Sequence, residues 1–304
     1  MTAFLINPKA GGGKAASRLA RLVPGEKLAK LGKVHICESL DVLPVLVQRL
    51  LDQGTRRLVV VGGDGTWHHV INVAYRLRAL HALTLGLVPA GTGSDLARSL
   101  ALPRQRRLAL TQALEAAPQP MDLGLLQFGE EELVFCNVAS FGISGLVDER
   151  VNANPRRGTT AFLKATLLAF REFRPIAGRV LVDDRELYAG PLLLAAVANG
   201  QYFGKGMRIA PCACPADGFL EVVAVEAAST RKLIARLPWL YLGRHLTLPQ
   251  VHSARGRVAR LEVRGQLPPF DVDGECYPAG SAVFRVLPGA CQVAYGGPQL
   301  GVPA

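Results

Sequence analysis

The chain has 304 residues, 49% hydrophobic and 19% charged, with 35 basic against 24 acidic side chains for a formal net charge of +11 and a pI near 9.7. At ~150 residues per domain this length predicts two domains, and the composition excludes a disordered chain, which would carry less apolar surface and more charge. The basic balance favours an anionic partner, whether nucleic acid, an anionic membrane surface or a phosphorylated substrate, and does not separate these. Of the six cysteines (Cys37, Cys136, Cys212, Cys214, Cys276 and Cys291), only Cys212 and Cys214 lie close together, at a spacing unlike a zinc knuckle. Reduced thiols in a cytoplasmic protein are the expectation. The apolar N-terminal stretch is too short for a signal peptide. The longest strongly apolar run, Leu192 to Ala198, falls far below the ~20 residues that span a bilayer, so membrane contact is expected to be peripheral.

Along the chain, Thr2–Ile6 reads as a strand leading into Asn7-Pro8-Lys9-Ala10-Gly11-Gly12-Gly13-Lys14, followed by a helix with Leu19 and Leu22 on one face. Asp41 is placed as the N-cap of a helix through Leu51, with Gly54 as its stop. Leu58–Val61 is a buried-strand run ending at Gly62-Gly63-Asp64-Gly65-Thr66, before a helix through about Leu80. Thr84–Val88 is the next strand; it ends at Pro89-Ala90-Gly91-Thr92-Gly93-Ser94-Asp95, and a helix runs from Leu96. This recurrence of strand, glycine turn and helix predicts a parallel sheet with helices on both faces. After Asp122, β-prone runs dominate: Leu133–Val138, Arg179–Val182, Leu192–Ala198, Leu220–Val225, Val258–Val263 and Val283–Val286. Helical stretches near Thr160–Phe173 and Thr230–Leu242 interrupt them, and this half reads as β-sandwich-like.

The strongest local signal is Gly62-Gly63-Asp64-Gly65-Thr66, between an apolar strand and a helix. Glycines there let the backbone approach a phosphate, and free N–H groups at a helix start favour anions. Asp64 is unsuited to phosphate itself but fits a ligand, direct or through water, for the Mg²⁺ that accompanies ATP. A tight strand–helix turn would use the same glycines for positive φ. Gly91 and Thr92 belong to a second such turn, where Thr92 could bond a phosphate and Asp95 could instead cap its helix. Ligands of open parallel sheets sit at the carboxyl ends of strands, so the turns could face one crevice. The Asn7–Lys14 stretch lacks the ending of a Walker A loop. Further on, Asp271-Val272-Asp273-Gly274-Glu275 could supply a general base for a hydroxyl nucleophile, although a solvated β-turn is the preferred reading of that segment by itself. The pair His68-His69 diverges by ~100° on a helix, which disfavours one shared metal ion. The stretch 233–242, flanked by Arg231, Lys232, Arg244 and His245, mixes apolar, aromatic and basic residues as an interfacial segment does, and core packing accounts for most of the same apolar residues.

Taken in order, INPKAGGGK, VVGGDGT, LVPAGTGSDLAR, MDLG, FCNVASFGISG, VANGQYFGKGMRIAPCACPADGFLEV, GRHL, DVDGE and FRVLPGA span nearly the whole chain. This set resembles bacterial members of the diacylglycerol kinase family, which also includes sphingosine and ceramide kinases. The resemblance implies an α/β N-terminal domain with a parallel sheet (NAD kinase/diacylglycerol kinase-like) over 1–122. It implies a β-sandwich-like lipid-substrate domain over 123–286, with the tail 287–304 returning to the first. It implies ATP-dependent phosphorylation of diacylglycerol or a related lipid alcohol, with ATP and Mg²⁺ in an interdomain crevice. Asn7, Gly62, Gly63, Asp64, Gly65, Thr66, Gly91 and Thr92 would surround the nucleotide. Asp64 and Asp122 would support Mg²⁺ and phosphate, and Glu275 matches the family's proton acceptor for the lipid hydroxyl. Asp217, with the carbonyls of Cys214 and Phe219, matches a structural Mg²⁺ site. The expected partners are ATP, a lipid and the surface of an anionic membrane; a homodimer is open, and no nucleic-acid partner is expected. Two positions depart from the family pattern: His69 stands where a Glu is usual, and Ser94 where an Asn is usual. An NAD kinase-like enzyme and a catalytically impaired nucleotide- or lipid-binding regulator are the rival readings. The GTGSD turn and the NGQYFGKGMRIAP segment weigh against the first, and Asp64, Asp122 and Glu275 against the second.

Overall fold

The structure is a computed structural model and describes residues 1–22, 30–91, 93–153, 159–228, 230–265 and 267–296. It divides into two compact units, one of Met1–Leu123, Pro215–Asp217 and Pro288–Ala304, the other of Gly124–Cys214 and Gly218–Leu287.

In the first unit, β1 (Thr2–Ile6) lies between β2 (Lys33–Ile36) and β3 (Arg57–Gly62), and β3 pairs with β4 (Thr84–Pro89), all in parallel. Strands buried on both faces need apolar side chains at successive positions, which is why Leu58-Val59-Val60-Val61 shows no alternation. The helices are α1 (Ala15–Leu22), α2 (Leu43–Asp52), α3 (Asp64–Arg76), α4 (Asp95–Ser99) and α5 (Arg106–Glu115). Phe4, Ile6, Val59 and Val61 form a core with Leu19 of α1 and Leu110 of α5. Two boundaries differ from expectation. Ser39, not Asp41, is the capping residue: its side chain accepts from the Asp41 amide and opens a 3-10 turn, Leu40–Val42, and Pro44 then sits in the first turn of α2. Helix α3 ends at Arg76, short of Leu80, because Arg78 turns left-handed at φ 54°. Gly54, at φ 78°, does end α2 as its sequence predicts.

The second unit is antiparallel. Its strands are the second part of β5 (Pro118–Phe128), β6 (Glu131–Phe135), β7 (Val138–Gly142), β8 (Ile176–Val182), β9 (Arg185–Ala198), β10 (Leu220–Glu226), β11 (Val251–Gly256), β12 (Val258–Val263), β13 (Phe270–Val272), β14 (Glu275–Tyr277) and the first part of β15 (Ala282–Ala294). Further along β15, Gln292 and Val293 pair in parallel with Thr84 and Leu85 in the first unit. Strand β9 explains the longest apolar run: Ala195 and Val197 enter an aromatic core with Phe141 and Phe270, while Leu194, Ala196 and Ala198 enter a second core with Ile143 and Phe203. Both faces of the strand are buried, so it cannot alternate.

Helix α6 (Ile143–Ala153) was hidden in the sequence because Gly145 lowers helix propensity. The glycine is required, since a Cβ there would lie 1.8 Å from the Pro269 carbonyl oxygen. Helices α7 (Thr159–Glu172) and α8 (Thr230–Tyr241) lie where the periodicity placed them.

Candidate functional site

In the first unit, three strand ends bring their turns together. Asn7, at the end of β1, donates through Nδ2 to Thr66 Oγ1 at 2.8 Å, and its Oδ1 accepts from the Lys9 amide at 2.9 Å. The turn beyond takes left-handed angles at Gly11, Gly12 and Gly13. Gly63 and Gly91 pack backbone to backbone: a Cβ on Gly91 would stand 2.6 Å from the Gly63 Cα. Asp64 braces the same two turns, accepting from the Asp95 amide at 3.1 Å and the Leu96 amide at 3.4 Å. Asn7, Gly62, Gly63, Asp64, Gly65, Thr66 and Gly91 therefore share one neighbourhood; Thr92 lies outside the described residues. Asp95 bonds Arg98 at 2.5 Å, one turn along α4, while the capping position belongs to Ser94, left-handed at φ 57°. His68 is buried against Asn72, and His69 meets it edge-on. Among the described residues no group of three His, Cys, Asp or Glu side chains could hold a metal ion.

Mg²⁺ asks less of the protein than such a cage, because one or two carboxylates suffice when substrate phosphates and water complete the shell. Asp64 has two oxygens with two lone pairs each, and its donor set fits that role. Asp122, also in the first unit, is buried on β5, and its Oδ1 accepts from the Gly289 amide at 2.7 Å. Burial and this carboxylate together push the Cys291 thiol far up.

Asp271, Asp273 and Glu275 belong to the second unit. The β13–β14 hairpin turns through Asp273 and Gly274 at φ 54° and 90°, the double left-handed pattern of a tight two-residue turn. The solvated turn that the sequence favoured is not what forms, since Asp271 and Asp273 are both buried. Asp273 accepts from the amides of Cys136, Asn137 and Val138 at 2.9, 2.9 and 3.1 Å, clamping the hairpin to β7. Asp271 accepts from the Gly274 amide at 2.9 Å and the Ser140 hydroxyl at 3.1 Å, and bonds to Asp148 of α6.

Sequence reasoning missed Asp148, because nothing in Leu146-Val147-Asp148-Glu149 separates it from a solvated helix position. Burial raises it well above the ordinary carboxylate range, the Asp271 and Glu275 charges raise it further, and Lys205 offsets part of this. Burial also pushes Asp271 up, to about 6. Hydrogen-bonded to each other and both raised by burial, the two carboxyls hold a proton more readily as a pair than exposed carboxyls would.

These residues border a cavity of about 910 Å³, counted with its open mouth. Its walls are chiefly apolar, including Ile143, Val147, Leu193, Phe203, Met207 and Val251, while Ser144, Asp148 and Asp271 form one polar cluster. That is the usual make-up of a pocket for a largely apolar ligand. Glu275, half-buried at the start of β14, is near enough for its charge to act on Asp148. Cys214, Asp217 and Phe219 share the loop before β10, with Gly218 left-handed at φ 74° and Arg255 stacked over the Phe219 ring at 4.3 Å.

The raised carboxyls carry a sign. A folded state that holds a proton more tightly than the unfolded chain loses stability as pH rises from the unfolded value, 3.8, through the folded one. Asp148→Asn keeps a donor toward Asp271 and needs no proton. Relative to the wild type, this variant should gain stability progressively as pH rises above the unfolded value, 3.8. Urea unfolding at a series of pH values checks this, and parallel curves for the two proteins would show that the pair does not hold a proton more readily.

Residues 1–126 match the family model for the diacylglycerol kinase catalytic domain, and residues 137–295 match that for the YegS C-terminal NAD kinase beta sandwich-like domain. The chain is 30% identical over 294 residues to a diacylglycerol kinase of Mycobacterium tuberculosis, covering 95% of this chain and 93% of the relative. It is 30% identical over 260 residues to a YegS-like protein of Pseudomonas putida, covering 81% and 79%. The crystal structure of a diacylglycerol kinase from Bacillus anthracis shares the fold, with a TM-score of 0.71 at 20% identity, covering 97% of this chain and 96% of that one. With both halves matched by family models and a relative at this identity over nearly its whole length, the chain belongs to the diacylglycerol kinase family.

Proposed function

We propose that the protein is an ATP-dependent lipid kinase that transfers the γ-phosphate to a hydroxyl of diacylglycerol or a related lipid alcohol. The observation that carries this reading is the apolar cavity of the second unit, whose polar cluster of Ser144, Asp148 and Asp271 adjoins Glu275. A nucleotide acceptor such as NAD would leave its phosphates and sugars against those apolar walls and buried carboxyls, so the cavity favours a lipid over the NAD kinase reading.

In the first unit, the glycine turns let backbone N–H groups approach the phosphates, and Asn7 holds Thr66 in place beneath them. Asp64, and by family resemblance Asp122, would hold Mg²⁺, which when bound with ATP neutralises charge on the phosphoryl group being transferred. Glu275 accepts the proton of the lipid hydroxyl. Asp217, with the carbonyls of Cys214 and Phe219, would hold a second, structural Mg²⁺.

The test is incubation with radiolabelled ATP and a total lipid extract, with mass identification of the labelled product. A lipid phosphomonoester is expected. Label in NADP when NAD is supplied, or no transfer to any lipid, would overturn the reading.

Helix α8 links this chemistry to a membrane surface. Arg236, Leu237 and Leu240 line the cavity, while Trp239, Tyr241 and Leu242 are 44%, 47% and 63% exposed. Aromatic and apolar side chains beside basic ones suit the headgroup region, and no helix among the described residues is long and apolar enough to cross a bilayer. With a net charge of +11, the protein should sediment with anionic vesicles more than with neutral ones, and salt should weaken that binding. Replacing Trp239 and Leu242 with Ser should reduce binding to both kinds of vesicle. Equal binding to neutral and anionic vesicles at every salt concentration would remove the electrostatic part of this account.

A further inference from the structure

Among the described residues, Arg236 is the only Lys or Arg in the wall of the cavity. It lies on α8 one turn before Leu240, so the two share a face of the helix, and both line the cavity beside Leu237. Arg236 is half-buried, so its side chain keeps accessible surface in that wall. Among the described residues it makes no hydrogen bond or ion pair, and the sequence from 227 to 250 holds no Asp or Glu to pair with it. The cation that acts on Asp148 is Lys205, so Arg236 stands apart from the carboxyl cluster at the reacting end of the cavity. A guanidinium is always charged and offers five N–H donors and no acceptor. In an otherwise apolar wall those donors are left without a protein acceptor.

A diacylglycerol poses the converse problem. Its one hydroxyl is committed to Glu275, and its remaining polar atoms are ester oxygens, whose carbonyls accept and donate nothing. A carbonyl taken from water into apolar walls is costly unless a donor meets it. Donors without acceptors in the wall thus match acceptors without donors on the ligand. We propose that Arg236 is a specificity-determining residue that donates a hydrogen bond to an ester carbonyl of the bound lipid, so that the cavity prefers acyl esters of glycerol to lipid alcohols whose chains are joined by ether bonds. This rests on the lipid-kinase reading and narrows its acceptor within the same class. A site built to bond a polar group discriminates against the analogue lacking it, because its own donor then goes unpaired.

The test compares dioleoylglycerol with its diether, dioleylglycerol, which has the same free hydroxyl and the same chain length without the carbonyls. Both are presented in micelles of a neutral detergent, so that attraction to an anionic surface does not enter. Arg236→Met keeps an apolar stem of similar length and removes the donors; Arg236→Lys keeps a charged donor. The wild type should prefer the diester by about 10-fold in kcat/KM, the low end for a hydrogen bond to a charged group, since Arg236 is half-buried. Arg236→Met should lose that preference through the diester alone, and Arg236→Lys should keep a preference in the same direction. The same contrast should appear in binding of the radiolabelled lipids without ATP. Equal losses for both lipids in Arg236→Met, as a general role in packing or surface contact would give, or an unchanged preference, would overturn the proposal. Binding of both lipids with no turnover of either would instead overturn the kinase reading and leave the contrast in affinity to decide the role of Arg236. Binding of neither would overturn both.

Discussion

Asp64→Asn should lower kcat by about 10²- to 10³-fold, the usual cost of removing one charge-stabilising group from a reaction centre, while the protein melts close to the wild type. The reason for choosing Asn lies in the two backbone bonds that Asp64 makes. Its carboxylate accepts from the amides of Asp95 and Leu96 and so ties the Gly62–Thr66 turn to the Gly91–Asp95 turn. Asp64→Ala would remove that tie together with the charge, and a loss of activity would then be ambiguous between chemistry and architecture. Asn retains one oxygen to accept an amide and removes the negative charge that a Mg²⁺–ATP complex calls for. ATP binding by calorimetry, with and without Mg²⁺, separates the two roles. The expected result is ATP affinity that no longer responds to Mg²⁺, beside near-normal thermal stability. Wild-type turnover in Asp64→Asn would sink the metal-binding role and leave Asp64 as a brace.

The first unit was legible because its signals are local. Apolar runs ending in glycine turns at Gly62 and Gly91 define parallel strands and their carboxyl ends, and the observed β3 and β4 end there. The second unit hid more, because its determinants are contacts between residues distant in sequence. β5 begins with Pro118 and Pro120 and contains Gly124, all poor strand signals, yet the Phe135 ring packs where a Cβ at Gly124 would lie, 2.0 Å away. β11 reads as polar, Val-His-Ser-Ala-Arg-Gly, since its described pairing is to β10 and most of its residues stay partly exposed. The same holds for the site. Glycine turns announce themselves; a buried carboxyl pair does not, because Asp148 and Asp271 become a pair only when α6 packs beside the β13–β14 hairpin. The Asp-Gly tip at Asp273 has the sequence of a solvated turn, and its burial follows from three β7-side amides that converge on it.

Those amides also bear on Glu275, two residues beyond. A general base works only when held within hydrogen-bond reach of the proton it takes. The clamp on Asp273 and the Val272–Glu275 pairing fix the backbone that carries it. A lipid hydroxyl is a weak nucleophile until its proton has somewhere to go, and a carboxylate takes that proton as the new P–O bond forms. Glu275→Gln preserves the shape and the strand pairing and removes the basic oxygen. The expected result is a fall in kcat of about 10²- to 10⁴-fold, the range for general-base assistance, with ATP affinity little changed. Removing the Glu275 charge also takes away one of the influences that raise Asp148. The pH dependence of stability in Glu275→Gln should therefore shift in the direction of a less raised Asp148, a readout independent of turnover. Steady-state kinetics, ATP calorimetry and urea unfolding on one preparation decide among the roles. Weakened ATP binding at normal kcat would assign Glu275 to the nucleotide. Unchanged kcat and affinity would make it a strand-edge residue with no part in the reaction.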